Sequence, residues 1–137
     1  MDTALRALLV DDNEINTGII ELQLKDMGFE VFSADNGEKA VAKFDESEED
    51  FFDIIIMDIM MPVMDGIQAI RSIRRLDRTD AAVVPIIAIT ANSFSDYGEV
   101  LREEGVTDCI SKPFSRHRLE ETVKSLVGDL QRPGIEV

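Results

Sequence analysis

The sequence predicts an α/β domain in three layers, a five-stranded parallel sheet with helices on both faces. Three observations lead to that class. Five short apolar runs of strand length alternate with five helix-length segments, the pattern of right-handed βαβ crossovers. The run Ile54–Met57 is apolar at every position and stops on Asp58, as in a strand buried on both faces of a parallel sheet. And 137 residues suit one domain with a self-sufficient core.

Taken in order, Leu5 to Val10 reads as the first strand and ends on Asp11 and Asp12. Asn13-Glu14 opens a helix that runs through Met27, with Gly28 in the position that favours a left-handed backbone after a helix end. That helix carries two apolar stripes, Ile20/Leu24/Met27 and Ile15/Ile19/Leu22, roughly 140° apart at ~100° per residue. The first runs to the helix end and is expected against the sheet, which leaves the second exposed beside Asp12. Phe29 to Ala34 is the second strand, Gly37 to Phe44 a short helix, and the acidic run Asp45–Asp50 a solvated loop. After the third strand, Pro62 and Asp65-Gly66 mark a loop. The next helix has Ile67, Ile70 and Ile73 inward and Arg71, Arg74 and Arg75 outward. Val83 to Ile89 is the fourth strand, with Pro85 tolerated near its start, and it ends on Thr90-Ala91-Asn92. A helix from about Ser95 to Glu104 is weakened by Gly98 and capped by Gly105. Thr107 to Ser111 is the fifth strand, ending on Lys112-Pro113. The last helix, about Ser115 to Leu130, carries Leu119, Val123, Leu126 and Leu130 as a core stripe, and Arg132 to Val137 is expected to fray.

Composition narrows the function classes. The apolar fraction of 45% and charged fraction of 31% are those of a water-soluble globular domain. No apolar run approaches the ~20 residues of a membrane helix, and the opening MDTALRA is not a signal peptide. A single cysteine, Cys109, excludes an internal disulfide and fits a reducing cytoplasm. With 14 basic and 28 acidic side chains the net charge is −14, a field that repels nucleic acid.

Four of the five strands end on a polar residue with chemistry: Asp11 and Asp12, Asp58, Thr90, and Lys112. The second ends on Ser33-Ala34-Asp35. In a parallel sheet these ends share one edge, where open α/β sheets place their sites. Three converging carboxylates need a compensating cation at neutral pH. Oxygen donors without a nearby His or Cys suit a hard divalent ion, Mg²⁺ before Zn²⁺. A carboxylate beside such an ion, a lysine and a hydroxyl is equipped to attack phosphorus and to neutralise phosphoryl oxygens. No glycine-rich phosphate loop is present, so the phosphoryl donor must come from elsewhere.

These residues resemble the receiver domain of two-component response regulators and hybrid histidine kinases over residues 4–128, leaving 129–137 as the helix end and a tail. The matching motifs are VDDN (Val10–Asn13), IMDIMMPVMDG (Ile56–Gly66), ITAN (Ile89–Asn92) and SKPF (Ser111–Phe114), in order and at family spacing. The resemblance implies the flavodoxin-like, CheY-like (βα)5 fold with strand order 2-1-3-4-5. It implies that Asp58 takes a phosphoryl group from a phosphohistidine of a histidine kinase or histidine phosphotransfer protein. Asp12, Asp58 and the Met60 backbone carbonyl would ligate Mg²⁺, with Asp11 acting largely through water. Thr90 would hydrogen-bond the phosphoryl group, Lys112 would pair with it, and Ala91 would leave its approach open. The Lys112–Pro113 peptide would be cis, an isomer that costs an X-Pro bond about 0.5–1 kcal/mol. Such a domain is a signalling switch or relay, not an enzyme beyond its own aspartyl phosphorylation and dephosphorylation. It is expected in the cytoplasm as a monomer or weak dimer, with no membrane or nucleic-acid contact.

The chain departs from the family at Cys109, three residues before the lysine, where receivers commonly carry an aromatic that moves with the threonine. The aromatic half of that Thr90-centred switch is missing, and Cys109 reads as a small buried hydrophobe. Phe94 and Tyr97 on the weak helix offer another mobile face. The exposed stripe Ile15, Ile19 and Leu22 is expected to dock the helical bundle of the phosphotransfer partner. His117, the only histidine, reads as an exposed helix residue. Rival readings are a phosphatase of the haloacid dehalogenase type, a receiver that serves as an interaction module without taking phosphate, and a flavin binder. The first needs a second Asp two residues after the nucleophile, where Met60 stands. The second fits poorly with the full set Asp11, Asp12, Asp58, Thr90 and Lys112. The third wants aromatic loops in a chain with no Trp and one Tyr. The chain fits either a stand-alone receiver or a segment of a larger regulator, with DDNEIN and Cys109 leaning toward a hybrid-kinase-like or phosphorelay receiver.

Overall fold

The computed structural model describes residues 5–59, 66–90, 101–112 and 115–127. The expectations for Met60, Ala91, Phe94, Tyr97, Gly98, Pro113, Leu130 and the tail therefore lie outside the described residues. The strands are β1 (Arg6–Val10), β2 (Glu30–Ala34), β3 (Ile54–Asp58), β4 (Ile86–Thr90) and β5 (Asp108–Ser111). All pair in parallel, in the order β2-β1-β3-β4-β5. The helices are α1 (Glu14–Asp26), α2 (Gly37–Glu46), α3 (Gly66–Arg74), the helical residues 101–103 (α4) and α5 (Arg116–Val127). No helix among the described residues is long and apolar enough to cross a membrane.

Side-chain alternation along the strands sorts the core into two clusters, one per sheet face. Leu8, Val10, Ile55, Met57, Ile86, Ala88 and Cys109 face Ala40 and Phe44 of α2 and Ala69, Ile70 and Ile73 of α3. Ala7, Leu9, Ile54, Ile56, Ile87, Ile89 and Ile110 face Ile20 and Leu24 of α1 and Leu119 and Val123 of α5. Burying both faces explains why the β1, β3 and β4 sequences are apolar without alternation.

Helix ends follow local chemistry. The Asn13 carboxamide accepts from the amides of Ile15 and Asn16, both at 3.0 Å, and so starts α1. At its end Gly28 has φ +97°, its amide donates to Lys25 O, and that of Phe29 donates to Leu24 O. That paired closure needs a left-handed residue, which glycine adopts without cost.

Three expectations require correction. Helix α2 continues past Phe44 to Glu46, and the acidic segment after it is held rather than free. The Arg78 guanidinium donates to the carbonyls of Phe44, Asp45, Ser47 and Glu48 at 2.7–3.2 Å and forks onto Asp80 at 2.7 and 2.9 Å. It thereby satisfies the orphan carbonyls at the helix end; the acidic side chains stay exposed while their backbone is tied down. Second, β4 begins at Ile86, not Val83. Asp80–Ala82 form a 3₁₀ turn in which the amides of Val83 and Val84 donate to Asp80 O, and Val83 is 72% exposed. Third, Arg74 does not point into solvent. Its guanidinium donates to Gly105 O at 2.7 and 3.1 Å and to Ala81 O at 3.0 Å, and burial lowers its pKa. Arg71 is outward, yet it grips Glu104 with two 2.8 Å hydrogen bonds that lower the Glu104 pKa.

Candidate functional site

Strand order reverses between β1 and β3, because the chain moves from β1 outward to β2 and then returns to the other side. A crevice therefore opens above the carboxyl ends of β1 and β3, and Asp11, Asp12 and Asp58 all stand there. Each offers a carboxylate oxygen, and the three oxygens lie within 4.8 Å of one another.

Asp11 follows the fully buried run Leu8–Val10 and extends the ladder, its amide donating to Ala34 O at 3.2 Å. Its Oδ1 accepts from the Asn13 amide at 2.9 Å. Its Oδ2 is buried and has no hydrogen-bond partner among the described residues, although the residue is only 3% exposed. Asp12 is exposed at the crevice mouth. Asp58 is buried at the end of β3, where the Ile59 amide donates to Ile89 O at 3.0 Å. Helix α3 starts directly beneath: the Gly66 amide donates to Ile59 O at 2.9 Å. A Cβ on Gly66 would sit 2.7 Å from Ile59 Cα and against the Asp58 carbonyl. Only glycine lets the helix approach this closely.

On the other side of Asp58, Thr90 is buried at the end of β4, in register with Ser111 of β5. The Lys112 amide donates to Thr90 O at 2.7 Å, which carries the Lys112 ammonium to 3.8 Å from Asp58 Oδ2. The fold thus gathers Asp11, Asp12, Asp58, Thr90 and Lys112 at one edge. Cys109 pairs with Ala88, two residues before Thr90, and is buried in the α2/α3 core. Burial raises its thiol pKa, with Asp108 adding to the shift. His117 is exposed and lies 3.6 Å from Glu121.

Electrostatics decide what the crevice accepts. At an effective dielectric of about 20, two like charges at this separation repel by about 3 kcal/mol. Three such pairs outweigh the Lys112–Asp58 attraction at 3.8 Å, about 4 kcal/mol on the same scale. An oxygen-only donor set, a net negative charge and an orphaned buried carboxylate oxygen together fit a hard divalent cation.

Some functional positions escaped the sequence reading. Gly66 read only as turn chemistry, because its close approach depends on where α3 packs. A cavity of about 300 Å³ beside the crevice, walled by α1 and the end of β2, left no linear signal, since its residues come from separate segments.

A doubly wound sheet with carboxylates, a hydroxyl and an ammonium gathered at its switch point defines a class of α/β domains. Comparison with known proteins specifies it. The model of the response regulator receiver domain matches residues 7–124. Hybrid signal transduction histidine kinase L of Dictyostelium discoideum is 41% identical over 120 residues, 87% of this chain and 7% of that protein. Sensor histidine kinase GacS of Pseudomonas protegens is 35% identical over 126 residues, 91% of this chain and 13% of that protein. The chain thus spans 7–13% of the length of these curated relatives. Among solved structures, the receiver domain of sensor histidine kinase PA1611 from Pseudomonas aeruginosa, with a magnesium ion in its active site cleft, has TM-score 0.81 and 34% identity. The match covers 92% of this chain and 99% of that one. The Vibrio cholerae chemotaxis protein CheY4 has TM-score 0.82 and 28% identity, covering 90% and 99%. The chain belongs to the response regulator receiver domain family of two-component and phosphorelay systems.

Proposed function

We propose that this domain accepts a phosphoryl group on Asp58 from a phosphohistidine of a histidine kinase or histidine phosphotransfer protein, and that it does so with Mg²⁺. The reading rests on one observation: three carboxylate oxygens within 4.8 Å of one another beside an ammonium 3.8 Å from Asp58 Oδ2. In the transfer, an Asp58 carboxylate oxygen attacks phosphorus. The P–O bond forms as the N–P bond breaks, and the donor leaves as neutral imidazole with its other nitrogen protonated. Lys112 pairs with the phosphoryl oxygens, and the Thr90 hydroxyl donates to one of them. Asp12, Asp58 and the Met60 carbonyl would hold the metal, with Asp11 acting largely through water. Mg²⁺ when bound supplies positive charge against the crowded carboxylates and the incoming phosphoryl oxygens. The domain works as a cytoplasmic switch or relay, as a monomer or weak dimer, and turns over no substrate besides its own acyl phosphate.

Donor docking falls to α1. Ile15, Ile19 and Leu22 are 75%, 52% and 63% exposed on the helix that begins at the crevice, and such an apolar ridge suits a helical bundle bearing the phosphohistidine. Intact mass after incubation with acetyl phosphate and Mg²⁺ tests the acceptor role. The expected result is a single ~80 Da adduct that is absent in Asp58→Asn; an adduct that persists in that variant refutes it. Transfer from a histidine phosphotransfer domain that is unchanged in Ile15→Ser/Leu22→Ser refutes the docking ridge.

A further inference from the structure

The cavity of about 300 Å³ between α1 and the end of β2 is walled by five carboxylates, Asp11, Asp12, Glu14, Glu21 and Asp35. Among the described residues no lysine, arginine or histidine lines it. Glu21 and Asp35 pair with Lys25 and Lys39 at 2.7 and 2.9 Å. Asp12 and Glu14 form no ion pair among the described residues. The inner wall includes Asp11, with its buried and unpartnered Oδ2. The helix wall is lowered at Gly18, where a Cβ would meet nothing within 4 Å. At ~30 Å³ per water the volume holds about ten waters, room for a long side chain with part of its hydration.

This cavity adjoins the apolar ridge. On α1 the cavity residues Glu14, Gly18 and Glu21 form one stripe and Ile15, Ile19 and Leu22 the next, so a single docked element covers both. We propose that the donor protein, besides seating apolar side chains on the ridge, inserts a lysine or arginine side chain into this acidic cavity, and that the pairing selects the partner. The proposal rests on the phosphoryl-acceptor reading and adds the chemistry of the donor's contact face. A basic side chain fits on charge: it meets Glu14, which forms no ion pair among the described residues, and adjoins the Asp11/Asp12/Asp58 cluster that must also admit a phosphoryl dianion. Long-range attraction between the −14 chain and a basic docking face speeds encounter.

The test uses the receiver and, as donor, whichever phosphorylated domain of a panel of histidine phosphotransfer domains transfers fastest to the wild type. The variant is Glu14→Gln/Glu21→Gln/Asp35→Asn, which keeps shape and removes charge. Transfer from the donor is expected to fall about tenfold at low ionic strength and to lose much of its salt dependence. Labelling by acetyl phosphate should stay within about twofold of wild type, since this small dianionic donor has no basic side chain to place in the cavity. Replacing the donor's basic residues one at a time should then identify one whose loss no longer matters in the triple variant. Donor transfer equal to wild type in the triple variant overturns the inference and leaves the acceptor reading intact. A cavity that serves a free ion shows as a second Mn²⁺ site lost in the variant with donor transfer unchanged, which also overturns it. A wild type that takes no phosphoryl group from acetyl phosphate or from any donor overturns the acceptor reading and this inference together.

Discussion

Replacing Asp11 by asparagine should stabilise the metal-free domain while abolishing its response to Mg²⁺. Asp11 Oδ1 accepts the Asn13 amide, a bond the asparagine oxygen keeps. Its buried Oδ2, without a partner among the described residues, becomes an amide nitrogen that can donate to the neighbouring Asp12 and Asp58 carboxylates. Two of the three like-charged pairs vanish, each worth about 3 kcal/mol at an effective dielectric of about 20. Asp12 is exposed and counterions screen it, so the net gain falls to about 1–3 kcal/mol. For a chain of this length each kcal/mol moves the midpoint by about 3–5 °C. Urea unfolding and thermal melts of both proteins, in EDTA and in Mg²⁺, read the result. Wild type should gain about 2.7 kcal/mol at Mg²⁺ a hundredfold above its dissociation constant, and Asp11→Asn little. A variant less stable than wild type in EDTA, or equally stabilised by Mg²⁺, would refute the repulsion argument.

Three other outcomes are expected. Gly66→Ala should cost about 1–3 kcal/mol and slow labelling by acetyl phosphate, because its Cβ collides with backbone at the end of β3; unchanged melting and labelling would show that α3 can shift freely. The Arg78 hydrogen bond holds the Asp80 carboxyl below its ordinary pKa, and hydrogen bonding to Asp80 raises that of Arg78. A depressed carboxyl stabilises fully above the unfolded value of about 4 and progressively less as pH falls toward the lower folded value. Wild type should therefore lose stability in that acid window with a steeper slope than Asp80→Asn, as acid titration of the urea midpoint will show. Cys109, buried with a raised pKa, should react with a disulfide reagent at neutral pH only on unfolding, and rapid labelling of the native domain would contradict its burial.

The fold was legible because the strands announce themselves. Ile54–Met57 and Ile86–Ile89 carry no polar residue, and only two-sided burial accounts for that. The carboxylate cluster was legible for a related reason: three acids stood where buried runs stopped, and parallel strands must stop on one edge. What periodicity could not supply was the reach of long side chains. Arg74 occupies an outward helix position, yet its stem bends back so that the guanidinium closes the turn at Gly105. Arg78 lay in a connecting stretch with no pattern at all, and its grip on Phe44, Asp45, Ser47 and Glu48 spans about thirty residues of chain. The start of β4 was misread because Val83 and Val84 suit a strand, while Asp80 draws their amides into a 3₁₀ turn.

The pairing of β1 with β3 also sets the order in which the domain comes together. β1 and β2 join Arg6 to Glu30 across one short helix, whereas Ala7 meets Ile54 and the Arg6 amide meets the Asp53 carboxylate 47 residues on. Closing the larger loop costs more chain entropy and is expected late on the folding route. The crevice holding Asp11 and Asp58 straddles that seam, so its completion is expected late on the same route. A cation held there is then expected to slow unfolding and to leave the folding rate nearly untouched. A chevron measured with and without Mg²⁺ should move on its unfolding arm alone, which makes the occupied domain long-lived rather than quick to form.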